Sequence, residues 1–158
     1  MFSVGDRIAH PMHGAGVIDS IVKRKVDGAV KDYYVMKLPV GDMQVMIPVD
    51  STEAIGVRPI IGPDEAETIF NSISELEINM NQNWNKRYRE NMMKIKSGDL
   101  LEVATVIKGL MLRDTDKGLS TGERKMLHSA KQIFISEIVL SESASYEEVE
   151  ERLDRAVS

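Results

Sequence analysis

Gly62-Pro63-Asp64-Glu65-Ala66-Glu67-Thr68-Ile69-Phe70-Asn71-Ser72-Ile73 is where the chain changes its period. Pro63 suits the first turn of a helix, where a missing N–H leaves nothing unsatisfied. Ala66, Ile69, Phe70 and Ile73 then recur at helical spacing and form one apolar stripe. Before this stretch the pattern is that of short strands; after it, the pattern is helical throughout.

Working back towards the start, Val4 to Ala9 reads as a strand broken by His10-Pro11-Met12-His13-Gly14. Ala15 to Val26 carries Val17, Ile18, Ile21 and Val22, β-branched residues that suit a pleated surface. Asp27-Gly28 marks a turn towards Tyr33-Tyr34-Val35-Met36-Lys37-Leu38. A second turn at Val40-Gly41-Asp42 precedes Met43 to Val49. In that run Met43, Val45, Ile47 and Val49 alternate with Gln44, Met46 and Pro48, so the second set is expected to face outward. Pro48 has no N–H to give a neighbour, which places the run at a sheet edge. Four or five short strands in this space predict an SH3-like or Tudor-like small β-barrel over residues 1–60.

Working forward, Trp84, Tyr88, Met92 and Ile95 share one helical stripe, with Trp84 at the helix start. Ser97-Gly98-Asp99 interrupts it, and Asp99 with Glu102 offers a capping box for the next helix, carrying Leu101, Ala104, Ile107, Leu110 and Met111. That helix stops near Gly118. Ser120 with Glu123 caps a fourth, with Leu127, Ala130, Ile133 and Phe134 inward. Ser145 with Glu148 caps a last, acidic one bearing Val149 and Leu153. The expected class is α+β, a barrel followed by an all-α domain over residues 61–158.

Composition narrows the function. A hydrophobic content of 42% with 28% charged residues is that of a folded protein rather than a disordered one. The absence of cysteine removes disulfides, thiol catalysis and thiolate metal sites. No apolar run reaches the roughly 18 residues of a membrane span, and Met1-Phe2-Ser3-Val4 does not begin a signal peptide, so the cytoplasm is the expected location. His10-x-x-His13 offers two metal ligands in a turn without a third of suitable spacing. His128 stands alone on a helix and reads as a surface residue. Asp114, Asp116 and Glu123 near Lys117 read as a charged loop and a cap. Gly14-Ala15-Gly16 lacks the helix that a phosphate loop requires. No enzyme, cofactor or metal is expected.

The net charge is −5, yet Lys86, Arg87, Arg89, Lys94 and Lys96 oppose only Glu90 within one short stretch. That stretch begins beside the only tryptophan, Trp84. Local positive charge next to an aromatic plane suits a surface that neutralises phosphates and presses a ring against bases. The same residues also read as a core tryptophan with a solvated face around it.

Three segments carry a further signal: Val4-Gly5-Asp6 through Pro11-Met12-His13-Gly14-Ala15-Gly16-Val17; Asn83-Trp84-Asn85-Lys86-Arg87-Tyr88-Arg89-Glu90-Asn91; and Arg113-Asp114 through Gly118-Leu119-Ser120-Thr121-Gly122-Glu123-Arg124-Lys125-Met126-Leu127. Together they resemble the CarD family of bacterial transcription regulators, in its short form also called CdnL, over about residues 1–140. The first segment is shared with transcription-repair coupling helicases, whose motor motifs do not occur in this chain.

The resemblance implies a Tudor-like domain that docks on the β subunit of RNA polymerase and a helical domain at the upstream edge of melted promoter DNA. It implies that Trp84 is a minor-groove wedge, flanked by Lys86, Arg87 and Arg89, with Arg124 and Lys125 as further DNA contacts. Arg24 falls at a basic polymerase contact. Met46 replaces an arginine of some relatives, and with Met43 and Pro48 it belongs to the edge that meets the polymerase. Such an edge can extend a partner sheet, and tethering then lets weak, sequence-indifferent DNA contact suffice. The implied protein is a monomer that stabilises open promoter complexes and reaches the nucleoid through the polymerase. The alternative is a protein-interaction adaptor whose helical domain docks a second protein, distinguished by a buried Trp84.

Overall fold

The computed structural model describes residues 1–158. Its first part is a five-stranded antiparallel sheet built from β1 (Arg7–His10), β2 (Gly14–Val26), β3 (Ala29–Lys37), β4 (Gln44–Pro48) and β5 (Arg58–Pro59), in the spatial order β4-β3-β2-β1-β5. β2 and β3 meet through Asp27-Gly28, both at positive φ, with Val26 opposite Ala29. That is the turn whose twist matches the strands it joins. A short helix, α1 (Thr52–Ile55), leads into β5. Ile8, Ile18, Tyr34, Met36, Leu38, Ile47 and Val57 fill the sheet's own core.

The first strand starts later than its hydrophobic pattern predicts. Gly5 adopts φ +94° and the Asp6 carboxylate accepts the Ser3 N–H at 2.8 Å, so residues 3–6 form a turn instead. The last strand behaves as the alternation predicts: Ile47 is buried and Met46 exposed, and β4 pairs with β3 alone, leaving an open edge.

Five helices follow: α2 (Pro63–Ile73), α3 (Trp84–Lys96), α4 (Leu100–Asp116), α5 (Thr121–Glu142) and α6 (Tyr146–Val157). The α+β class, a small antiparallel sheet followed by a helical domain, is as predicted. Ser120 and Ser145 accept the N–H groups of Glu123 and Glu148, as the capping pattern requires. The Asp99 box stays open, because Asp99 accepts from Leu101 N while its own N–H goes to Ser97 Oγ. Phe70, Ile107, Leu110, Phe134 and Ile138 lie at the centre of a second core, to which α6 contributes Val149, Leu153 and Val157. Lys108 is buried in the same region, and its ammonium donates to the carbonyls of Ile73, Ser74 and Leu76 at and just beyond the end of α2.

The two cores are joined along α5. A Cβ on Gly14 would lie 2.5 Å from Ser136 Oγ and 3.2 Å from Ile133 Cα, so only glycine lets the strand and helix approach this closely. Ser136 Oγ also accepts the Ala15 N–H at 2.9 Å, and Arg7 donates to the Leu140 carbonyl at 2.7 Å. Arg58 completes the joint. It reaches both oxygens of Glu137 at 2.6 and 2.8 Å and twice donates to the Gly98 carbonyl, while Ile61 N–H donates to Glu137 at 2.9 Å.

Candidate nucleic-acid and polymerase interface

Trp84 opens α3 because Asn83 caps it, its side chain accepting the Lys86 N–H at 3.1 Å. The indole does not enter the helical core. It remains 42% exposed, stacks on Tyr88 one turn later with ring centroids 5.1 Å apart and a 20° interplanar angle, and donates from Nε1 to Ser120 Oγ at 3.1 Å. Gly122 lies beneath the ring edge, where a Cβ would stand 3.5 Å from Trp84 Cζ2. Trp84, Asn85, Tyr88 and Arg89 line an open depression on this surface.

Helical spacing places Trp84, Tyr88, Met92 and Ile95 on one stripe, but the buried positions of α3 are Arg87, Asn91 and Ile95. The helix is rotated so that its first two inward turns are polar. Arg87 is only 2% exposed. Its Nε donates to Glu123 Oε2 at 2.8 Å, and Nη1 donates to the Asn81 and Gln82 carbonyls at 3.0 and 3.2 Å. Arg87, expected beside the wedge as a DNA contact, is therefore unavailable to phosphate: its donors are spent inside the protein.

Glu123, expected only as a cap, is the hub of this site. Burial pushes its carboxyl up, but the hydrogen bond and charge of Arg87, the nearby charge of Arg113 and the backbone bond at Ser120 outweigh that and hold it below the usual range. Arg113 Nε lies 3.9 Å from the same carboxylate. A capping pattern carries the signal for one Glu123 contact, but nothing in it reveals a buried partner 36 residues earlier.

The remaining predicted cations differ from Arg87. Lys86, Arg89, Arg124 and Lys125 are all exposed, and none takes part in an ion pair. Their donors stay free for phosphate or solvent. Arg124 lies in a shallow groove with Asp114, Leu119, Leu127, His128 and Lys131. His128 is exposed, as predicted.

On the sheet, register decides which predicted residues share a face. Val22, Tyr33 and Pro48 stand side by side across β2, β3 and β4, and Val35 faces Met46. Arg24 pairs with Lys31 two residues beyond Val22, and so lies on that same face. Arg24, Met46 and Pro48 thus come together, with Tyr33 and Val22 as apolar neighbours not singled out in the sequence. Met43 does not join them. It precedes β4, its carbonyl accepts the Leu38 N–H, and Gln132 Nε2 of α5 lies 3.8 Å from its sulfur.

The His10 and His13 rings lie with centroids 4.6 Å apart and planes tilted by 54°, and His10 Nδ1 accepts the Met12 N–H at 3.1 Å. Burial, reinforced by the neighbouring His13 charge, lowers His10 to about 4. One ring nitrogen of the pair is thus committed to the turn itself.

With both surfaces described, the comparisons with known proteins decide the family. The family model for the CarD C-terminal domain matches residues 68–154, and that for the CarD-like/TRCF RID domain matches residues 2–61. The chain belongs to the CarD family. YdeB of Bacillus subtilis (strain 168), named as a candidate transcription factor, is 35% identical over 138 residues, covering 87% of this chain and 90% of that protein. The solution structure of the 72-residue N-terminal domain of Myxococcus xanthus CarD is 30% identical and covers 37% of this chain and 79% of its own, with a TM-score of 0.33. Membership of the CarD family carries a role in transcription regulation. No helix is long and apolar enough to cross a membrane.

Proposed function

We propose that this CarD-family protein is a cytoplasmic, non-catalytic regulator that needs no cofactor, docks as a monomer on the β subunit of RNA polymerase, and stabilises the open promoter complex. The sheet face bearing Arg24, Met46 and Pro48 makes the polymerase contact, and Trp84 enters the minor groove at the upstream edge of the bubble. The observation that carries this reading is the exposure of Trp84, held outside both cores beside the unpaired cations Lys86 and Arg89. A buried tryptophan would have favoured the adaptor. The match of residues 2–61 to the CarD-like/TRCF RID domain supports the polymerase side of the reading.

The physics of the mechanism is differential. A ring inserted at an unstacked step stabilises the melted junction more than closed duplex, which offers no gap. Base–aromatic stacking is worth about 1–3 kcal/mol, which shifts an open-to-closed ratio by about 5- to 150-fold. Because α5 holds the sheet at Ile133–Leu140 and Ser120, which accepts from the ring, caps its start, one rigid helix ties the docking domain to the inserted ring. An acidic protein can then act on DNA through a few local cations, with the polymerase supplying proximity.

The test is the lifetime of the open complex with wild-type protein and with Trp84→Ala. The variant should bind polymerase normally, fold cooperatively, and lose about 1–3 kcal/mol of open-complex stabilisation. A folded Trp84→Ala protein that prolongs the complex as well as wild type does would end the wedge reading.

A further inference from the structure

Ser120 Oγ has one proton and two lone pairs, and three groups surround it. Trp84 Nε1 lies at 3.1 Å, the Glu123 backbone nitrogen at 3.2 Å and Glu123 Oε1 at 3.4 Å. Both nitrogens can only donate, so they occupy the lone pairs. The hydroxyl proton is left for the carboxylate, which Arg87 keeps ionised and in place at 2.8 Å. The chain Arg87–Glu123–Ser120–Trp84 therefore presents the hydroxyl to the indole as an acceptor alone.

We propose that Ser120 is a positioning residue for Trp84: its hydroxyl, oriented by the buried Arg87–Glu123 pair, holds the indole in its outward rotamer before DNA arrives. This rests on the wedge reading of Trp84. Exposed side chains otherwise exchange rotamers on the picosecond-to-nanosecond scale. Here three restraints act on one exposed ring: the Tyr88 stack, the Gly122 backbone under its edge and the Ser120 bond. A ring ordered in advance does not lose that freedom on insertion, a difference worth about 2- to 12-fold in the insertion equilibrium.

Two substitutions separate this role from helix capping. Ser120→Gly removes the acceptor but keeps most of the cap, since glycine ranks close to serine and threonine at this position and far above alanine. Ser120→Thr keeps the hydroxyl. Because Trp84 is the only tryptophan, its indole N–H resonance and its fluorescence anisotropy report on this ring alone. In free Ser120→Gly protein the indole N–H should exchange faster with water and the ring should move more, while Ser120→Thr stays close to wild type. The open-complex lifetime should fall about 2- to 12-fold in Ser120→Gly and recover in Ser120→Thr. An indole equally protected in Ser120→Gly overturns the proposal, as does a lifetime that Ser120→Gly leaves unchanged while Trp84→Ala shortens it. If Trp84→Ala itself retains the wild-type lifetime, the wedge reading fails, and the indole measurements alone decide whether Ser120 holds the ring.

Discussion

Arg58, in the last strand of the sheet, and Glu137, in the C-terminal half of α5, are joined by two hydrogen bonds of 2.6 and 2.8 Å that cross from one core to the other. Glu137 is 1% exposed, whereas about a third of the Arg58 side chain reaches solvent. Removing Arg58 would strand a buried carboxylate that also accepts the Ile61 N–H. Arg58→Met should cost about 3 kcal/mol, the low end for breaking a buried pair because Arg58 is partly solvated. The double change with Glu137→Leu should recover most of that loss. Thermal unfolding of the two singles and the double supplies the cycle, and additive losses would count against coupling across the joint.

Arg87 and Arg89 stand two residues apart on α3 and should respond oppositely. Arg87→Met leaves Glu123 buried without its main partner, so it should destabilise the fold by about 3–5 kcal/mol. Arg89→Met should leave the melting temperature within about 2 °C, since surface changes rarely exceed ±0.5 kcal/mol. It should instead weaken binding of the full chain to duplex DNA and flatten its salt dependence by about one phosphate contact. Parallel melts and salt titrations of both variants check the assignment.

Met46 is 41% exposed on the face shared with Arg24 and Pro48. Met46→Glu would place a charge within that apolar contact without touching the buried Ile47 beside it. Affinity for the polymerase β subunit should fall at least tenfold, with the melting temperature nearly unchanged. An unaltered titration would remove this face from the interface.

His10 gives the molecule a defined acid response. Its folded pKa of about 4 lies below the ordinary value of 6.5, so the unfolded chain binds this proton more readily than the native one. The stability contributed by neutral His10 is complete above pH 6.5, falls as the pH drops, and is exhausted below about 4. His10→Asn keeps an acceptor for the Met12 N–H but cannot titrate. Denaturant unfolding between pH 7 and 4 should therefore show a shallower pH slope for the variant than for wild type.

What sequence alone determined here is what short-range geometry dictates. Pro63, Ser120 and Ser145 mark helix starts because their effects act within one turn. Asp27-Gly28 closes its hairpin because both residues tolerate positive φ, and Pro48 stands at an edge because it cannot donate. Alternation likewise placed Met46 outward and Ile47 inward. It misplaced Met43, set among the inward residues but 50% exposed ahead of β4, where its surroundings depend on Gln132 of a distant helix. The same limit governed Arg87. Period 3.6 puts Arg87 and Trp84 on neighbouring flanks of α3, and periodicity favours burying the tryptophan. Glu123 reversed that order by supplying a buried partner for the guanidinium, leaving the indole outside on Ser120 and Gly122. Likewise, nothing near Arg58 in sequence announces Glu137, 79 residues away. Burial of a charge depends on whether its desolvation is repaid by a specific opposite charge, and only the packed helices bring those two groups together.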